Sequence, residues 1–564
     1  MDLVRHKLTR ILEEAATRAQ AAGDLPAITL PEISIERPSN PDHGDYASSL
    51  PLKLARQARM NPVEIANRLA RNAPTIPEVQ AVRAAAPGFV NFVLSDAWLR
   101  QQVEAIRTEG SRFGTIDLGK RKRVQIEFVS VNPTGPVHIG HGRGAVLGST
   151  LANIMEAAGY DIQREYYVND AGNQMDVFYR SLFARTAQQL GLDEEVPANG
   201  YGGAYMVDLA KQVLEEAPDR PELERLIKDQ PDQAIKRLGA EGLRRMLAAI
   251  RQDLAALGVE FDLWFSERSL FESGQYETTM DLLRQGGHVV TKEGAVWFAS
   301  SAMGEEGALD KDNVLVRSNG TPTYFASDIA YHRNKFILRG FDQVIDIWGA
   351  DHQGHVPRMK AAVGALGIDP ARLTIVLSQL VTLKRGGEIV RISKRTGDII
   401  SLKEVVDEVG SDVCRFFLLS SSANSQMEFD LELAKTQSQD NPVYYVQYAH
   451  ARIASILRNA QAQGINYQTG DVSLLTHEAE MALVRKMLEL PEVLETAALN
   501  MEPHHLPHYA KELATAFHWF YKQCRVIVAE EPAVTAARLK LVDACRTALA
   551  RTLRLMGMSA PDQM

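Results

Sequence analysis

The chain has 564 residues, 45% apolar and 24% charged, with a formal net charge of −9, which excludes a fibrous or intrinsically disordered protein and predicts a globular one of about three or four domains. No window approaches the ~20 apolar residues of a membrane span, and three cysteines (Cys414, Cys524, Cys545) without a CxxC pair support neither a zinc site nor a disulfide framework. Acidic balance disfavours nucleic acid, yet residues 441–564 carry 12 basic and 12 acidic side chains, so the whole acidic excess lies earlier and a local RNA-binding patch stays open.

In chain order, the first twenty residues place Val4, Leu8, Ile11, Leu12, Ala15 and Ala19 on one helical face. They hold no continuous apolar core, and Asp2, Glu13 and Glu14 are foreign to a transit peptide, so a reducing cytoplasm is the expected compartment. "GFVNFVLSDAWL" alternates Phe89, Asn91 and Val93 with Val90, Phe92 and Leu94, a strand pattern. Residues 1–115 read as a small α+β domain without catalytic chemistry.

Residues 116–435 alternate β-branched runs, "VQIEFVS", "QVIDIWGAD" and "RLTIVLSQL", with helical stretches, the pattern of a parallel α/β sheet. Residues from about 180 to 300 exceed what a crossover needs and predict a helical insertion. Residues 436–564 carry apolar positions three and four apart almost throughout and read as an all-α bundle. The fold class expected is therefore multidomain α/β: a Rossmann-like parallel sheet between an α+β domain and a helical bundle.

Within the sheet domain, "VNPTGPVHIGHGRGAVLGS" follows the strand ending near Glu127 and opens a helix. Its glycines fit a dinucleotide pyrophosphate loop, with Glu165 about where a ribose-binding acid would stand, but His138 and His141 have no use there. At a helix N-terminus, backbone N–H groups favour phosphate, and two imidazoles three apart can face the same anion. About 250 residues on, "GGEIVRISKRTGDIISL" brackets Arg391, Lys394 and Arg395 with glycines, a basic loop able to close over a triphosphate as its α-phosphorus is attacked.

These two motifs resemble the HIGH and KMSKS signatures of class I aminoacyl-tRNA synthetases. The HIGH region spans Val131, Asn132, Pro133, Thr134, Gly135, Pro136, Val137, His138, Ile139, Gly140 and His141. The second motif reads Arg391-Ile392-Ser393-Lys394-Arg395, departing at both ends and at its second residue while keeping Ser393-Lys394. With "NPDHGDYASSLPLKLA", "YYVNDAGNQ", "TYFASDIAYH", "GADHQGHVPR" and "DNPVYYVQYAHAR", the chain most resembles the arginyl-tRNA synthetase family along nearly its whole length. Asp543-Ala544-Cys545-Arg546 stands where that family's helical domain carries DALR.

The resemblance implies arginine activation by ATP to arginyl-adenylate, then transfer to the terminal adenosine of tRNA(Arg), with activation dependent on bound tRNA. Magnesium is expected to accompany ATP; no zinc, organic cofactor or membrane partner is expected, and a monomer is. His138, His141, Arg391, Ser393 and Lys394 would serve catalysis; Gly140, Gly349 and Asp351 would join His138, His141 and Lys394 in holding ATP. The N-terminal domain would touch the tRNA elbow.

An arginine pocket needs carboxylates and an apolar or aromatic wall. In "NGTPTYFASDIAYH", Thr321 would cap a helix, Pro322 would open it, and Tyr324 and Asp328 would share one face. By resemblance these two line the pocket, Glu127 and Asn132 hold the substrate's charged ends, and His352 contributes. Asn169, Asp170 and Gln174 would rim the site. For anticodon bases, which want stacking surfaces and hydrogen-bonding edges, the helical domain offers Tyr445, Gln447, Tyr448, Arg452, Trp519 and Tyr521.

Overall fold

The computed structural model describes residues 3–299, 313–390 and 400–564; Arg391, Ser393 and Lys394 lie outside the described residues. The first helix, Val4–Ala21, buries Leu8, Ile11, Leu12, Ala15 and Ala19 with Ala16. It packs on the helix Pro62–Asn72, which covers an antiparallel sheet of β1 (Tyr46–Ser48), β2 (Val79–Ala85) and β3 (Phe89–Leu94), with β3 central. In β3, Val90, Phe92 and Leu94 are buried, the set its alternation predicted; Asn91 is buried as well.

The core of the molecule is a five-stranded parallel sheet. Its strands are β4 (Arg123–Glu127), β5 (Asp161–Val168) and β6 (Leu263–Ser266), then, beyond a small antiparallel sheet of β7 (Val289–Lys292), β8 (Ala295–Phe298) and β9 (Asn313–Val316), β10 (Gln343–Gly349) and β11 (Leu373–Ser378). Spatial order is β11-β10-β4-β5-β6. The chain winds outward from β4 to β6 on one side and from β10 to β11 on the other, so the topological switch point lies between β4 and β10. Crevices at the carboxyl ends of such a pair are where α/β sheets bind ligands. Gly148 lets the helix Ile139–Ala157 lie against β4, since a Cβ there would meet the Phe128 ring at 2.2 Å.

The expected insertion is split. Four helices, Asn173–Gln189, Ala204–Glu215, Arg220–Asp229 and Pro231–Ala256, fill the gap between β5 and β6 around a core of their own that includes Phe178, Leu182, Met206 and Leu238. However, β6, inside the range assigned to the insertion, is an edge strand of the main sheet. Its four half-buried residues carry too little pattern to stand out in sequence.

A fourth sheet, β12 (Val381–Arg385), β13 (Glu388–Ile389) and β14 (Met427–Asp430), leads to the C-terminal helices Pro442–Ala462, Glu478–Met487, Leu490–Asn500, His505–Gln523 and Pro532–Leu555. Fully buried Arg415 joins these parts: its guanidinium donates to the carbonyls of Met556 and Leu257 and to Ser149 Oγ. The N-terminal sheet rests on the C-terminal helices through Arg485–Asp45 at 2.6 Å and Arg37–Glu492 at 3.0 Å. Among the described residues, no helix is long and apolar enough to cross a membrane.

Candidate active site

Three acids form a row across the sheet. Asp346 on β10 is the register partner of Glu127 on β4, which in turn pairs with Glu165 on β5. Like charges side by side on adjacent strands repel, and all three are buried. One segment brings two cations to the row. After the helix Tyr324–Arg333 the chain makes a π-helical turn, Asn334–Leu338, of the kind that recurs at functional sites. From it Lys335 Nζ donates to Glu127 Oε2 at 2.6 Å and Asp346 Oδ1 at 2.8 Å, while Arg339 forks onto Glu165. Lys335 also lies 4.2 Å from the centre of the Tyr331 ring. Burial opposes the lysine charge, but Asp346 and Glu127 outweigh it and hold Lys335 above its ordinary range. Glu165 also accepts a hydrogen bond from Tyr331 and is fully buried, so it is not a ribose-binding acid.

Asp346 has a second partner. His332 Nε2 lies 2.8 Å from Asp346 Oδ2, and Nδ1 lies 2.7 Å from the Asp328 carbonyl. Both partners of the ring are hydrogen-bond acceptors, one the sheet carboxylate and one a helix carbonyl. Burial pushes against ionised Asp346, yet Lys335 and His332 together hold it below the usual carboxylate range. Glu127, Asp346, Lys335 and His332 thus form one connected hydrogen-bonded set beneath the crevice.

Among the described residues, two further acids have no cation hydrogen-bonded to them. Glu267, just after β6, accepts from Ser327 Oγ at 2.7 Å, and burial pushes it up to about 7. Asp328 keeps partial solvent access, yet burial, then Glu267 and Glu127, raise it well above the carboxylate range, with Lys335 opposing. The Tyr167 hydroxyl lies in the field of Glu267, Asp328 and Glu127, and its ring stacks on Tyr331 at 4.4 Å. Tyr324, first residue of its helix and 45% exposed, also feels Glu267. A cluster of acids bordered by aromatic rings suits an organic cation, whose charge would favour their ionised forms.

From Glu127 the backbone turns sharply toward the histidines. Val129 and Ser130 adopt left-handed φ of 71° and 41°, a costly conformation, severe for β-branched Val129, that clusters at functional sites. Side chains and backbone pin it: Ser130 Oγ donates to Glu127 Oε1 at 2.9 Å, Asn169 Nδ2 to the Ser130 carbonyl at 3.2 Å, and Tyr166 to the Val131 carbonyl at 2.8 Å. His138 is then the N-terminal cap residue of Ile139–Ala157 and His141 sits in its first turn, the rings stacked 3.5 Å apart. A side chain on Gly140 would come within 3.0 Å of the His138 ring. The chain that emerges from the basic motif returns here: Ser401 bridges His138, and Leu402 N–H donates to the Val137 carbonyl at 2.8 Å.

The remaining expectations divide. Glu127, Asp328 and Tyr324 come together at the acidic pocket, whereas Asn132 is exposed on the adjoining loop. Gly349, Asp351 and His352 lie exposed where β10 ends, with His352 Nε2 3.7 Å from Asp351 Oδ2. Asp170 is occupied by Ser266 and the Arg268 amide. The helix start predicted at Thr321–Pro322 is corrected to Tyr324: residues 321–323 pair with β9, Thr323 N–H bonding the Leu315 carbonyl, while the Thr321 hydroxyl turns to Asn319. In the C-terminal domain, Arg452 lies over the rings of Tyr448 and Tyr521, Tyr445 packs on His518, and Trp519 is exposed. Gln447 is not presented with them; it is buried, its amide spent on Asp412 and Ser559. Sequence reading missed Glu267, Tyr167, His332, Lys335 and Asp346. Polar residues at 328, 332 and 335, spaced four and three apart, were the available signal.

Three family descriptions match the chain: "Arginyl tRNA synthetase N terminal domain" over residues 3–94, "tRNA synthetases class I (R), catalytic domain" over 102–426, and "DALR anticodon binding domain" over 446–564. The chain is 56% identical over 561 residues to an arginine–tRNA ligase of Dehalococcoides mccartyi, covering 100% of this chain and 99% of that one. Against an arginine–tRNA ligase of Heliobacterium modesticaldum it is 46% identical, with 100% of each covered. The fold matches that of the Thermus thermophilus arginyl-tRNA synthetase with a TM-score of 0.76 over 100% of both chains, at 24% identity.

Proposed function

The chain belongs to the arginyl-tRNA synthetase family, and from that premise we propose how the crevice between β4 and β10 serves an arginine–tRNA ligase. Arginine lies with its guanidinium between Asp328 and Glu267 and its α-ammonium at Glu127. Tyr324 and Tyr167 wall the side chain. The observation that carries this reading is the pair of acids with no cation hydrogen-bonded to them among the described residues, Glu267 being raised to about 7. A fixed, always-charged guanidinium supplies the missing positive charge and returns both acids to their ionised forms.

ATP then lies along the first turn of Ile139–Ala157, where amide groups and the His138–His141 pair face its phosphates, with Gly140, Gly349 and Asp351 lining the nucleotide. Magnesium would accompany ATP and supply neutralisation of triphosphate charge. The arginine carboxylate attacks the α-phosphorus, forming arginyl-adenylate and expelling pyrophosphate. Lys394 and Arg391, with Ser393 between them, stabilise the departing charge. The 2′-hydroxyl of the terminal adenosine then attacks the adenylate carbonyl and AMP leaves. Tyr445, Tyr448, Arg452, Trp519 and Tyr521 offer stacking surfaces to the anticodon loop. The enzyme works as a cytoplasmic monomer.

The test is ATP–pyrophosphate exchange. Exchange is expected with arginine only when cognate tRNA is present. Equal exchange with lysine would contradict the pocket assignment.

A further inference from the structure

We propose that Asp346 is a positioning residue that sets the distance between the two cation-holding ends of the arginine pocket, fixing Glu127 through Lys335 and the Asp328 turn through His332. The inference rests on the pocket reading above. Asp346 divides its oxygens: Oδ1 accepts from Lys335 at 2.8 Å and Oδ2 from His332 at 2.8 Å. Each of these two partners then reaches one end of the pocket. Lys335 holds the Glu127 carboxylate at 2.6 Å. His332 holds the backbone carbonyl of Asp328 at 2.7 Å, leaving the Asp328 carboxylate free to meet substrate.

Strand pairing alone does not explain this arrangement. β4 and β10 are already joined in register at Glu127 and Asp346, so the sheet holds without it. What the four side chains add is a link from β4 and β10 to the helix Tyr324–Arg333, which is otherwise tied to β9 through Thr323, to Glu267 through Ser327 and to β5 through Tyr331 and Glu165. Asp346 is fully buried and in register with Glu127, and so is not placed to contact arginine itself. A rigid spacing between Glu127 and Asp328 selects side-chain length, because a cation one methylene longer cannot satisfy both acids together. A buried set of paired charges is a costly way to gain stability, and geometric specificity is its best-attested use.

The experiment compares pyrophosphate exchange with arginine and with homoarginine, one methylene longer, in the full-length chain with cognate tRNA. In Asp346→Asn the arginine KM is expected to rise and the arginine-over-homoarginine ratio of kcat/KM to fall about tenfold, with the ATP KM unchanged. His332→Gln retains a single donor atom for two acceptors and should move the same ratio in the same direction, which keeps the proposal testable if Asp346→Asn does not fold. A lower melting temperature with unchanged arginine KM and unchanged ratio in both variants would make Asp346 merely structural and overturn the proposal. Glu127→Gln and Asp328→Asn run alongside: if neither moves the arginine KM, the pocket reading itself has failed, and the spacing role falls with it for a separately visible reason.

Discussion

Ser327 donates to Glu267 Oε1 at 2.7 Å, while Glu267 Oε2 is buried with no hydrogen-bond partner among the described residues. A half-satisfied carboxyl in a low-dielectric pocket resists ionisation, and burial lifts it to about 7. Glu267 is therefore placed to change its charge state near neutral pH, and arginine should govern that change.

Arginine affinity should rise with pH and level off above about 7. Only ionised Glu267 attracts the guanidinium, so binding below that pH must release a proton, and affinity falls about tenfold per pH unit there. Folding shows the opposite trend. Glu267 ionises near 4.5 when unfolded and near 7 when folded, so its contribution to stability is fully present below 4.5 and is lost as pH rises toward 7. Calorimetric titration of arginine at several pH values checks this; Glu267→Gln should flatten the slope.

Asp328→Asn should raise the arginine KM by about 10- to 100-fold, the cost of leaving a guanidinium without one charged partner. The ATP KM should hold. Steady-state exchange kinetics separate the two, and an unchanged arginine KM would remove Asp328 from the pocket.

Lys394→Ala should depress arginine activation by about 10² or more, in line with losing one donor to a developing oxyanion, while tRNA affinity stays near wild type. Exchange assays and filter binding report the two quantities. Collapse of tRNA binding instead would make residues 391–395 an RNA contact.

Arg415→Met should destabilise the folded chain by about 3 kcal/mol or more, because buried carbonyls lose their donor together. Burial already lowers the Arg415 guanidinium to about 10, a sign of how fully it is desolvated. Denaturant unfolding measures the loss, and a change under about 0.5 kcal/mol would mean the joint it makes is dispensable.

Much of this architecture was legible in sequence because the signals were local. Strands β4, β10 and β11 announced themselves as β-branched runs, and the histidine pair was readable from a strand, a turn and a helix in succession. The acid row was not, since Asp346 looks like an interruption in "QVIDIWG" until β10 is laid beside β4. Glu267 was hidden for the same reason: it meets Ser327 only through the fold, 60 residues away. The false start at Thr321 arose because a proline after a threonine is also good hairpin chemistry, and pairing with β9 overrode the helix signal.

The most direct measurement is a crystal structure with arginine bound. The guanidinium is expected within hydrogen-bond distance, about 2.7–3.0 Å, of both Asp328 and Glu267, with the α-ammonium at Glu127. A guanidinium held elsewhere, with Glu267 still lacking a partner, would contradict the account.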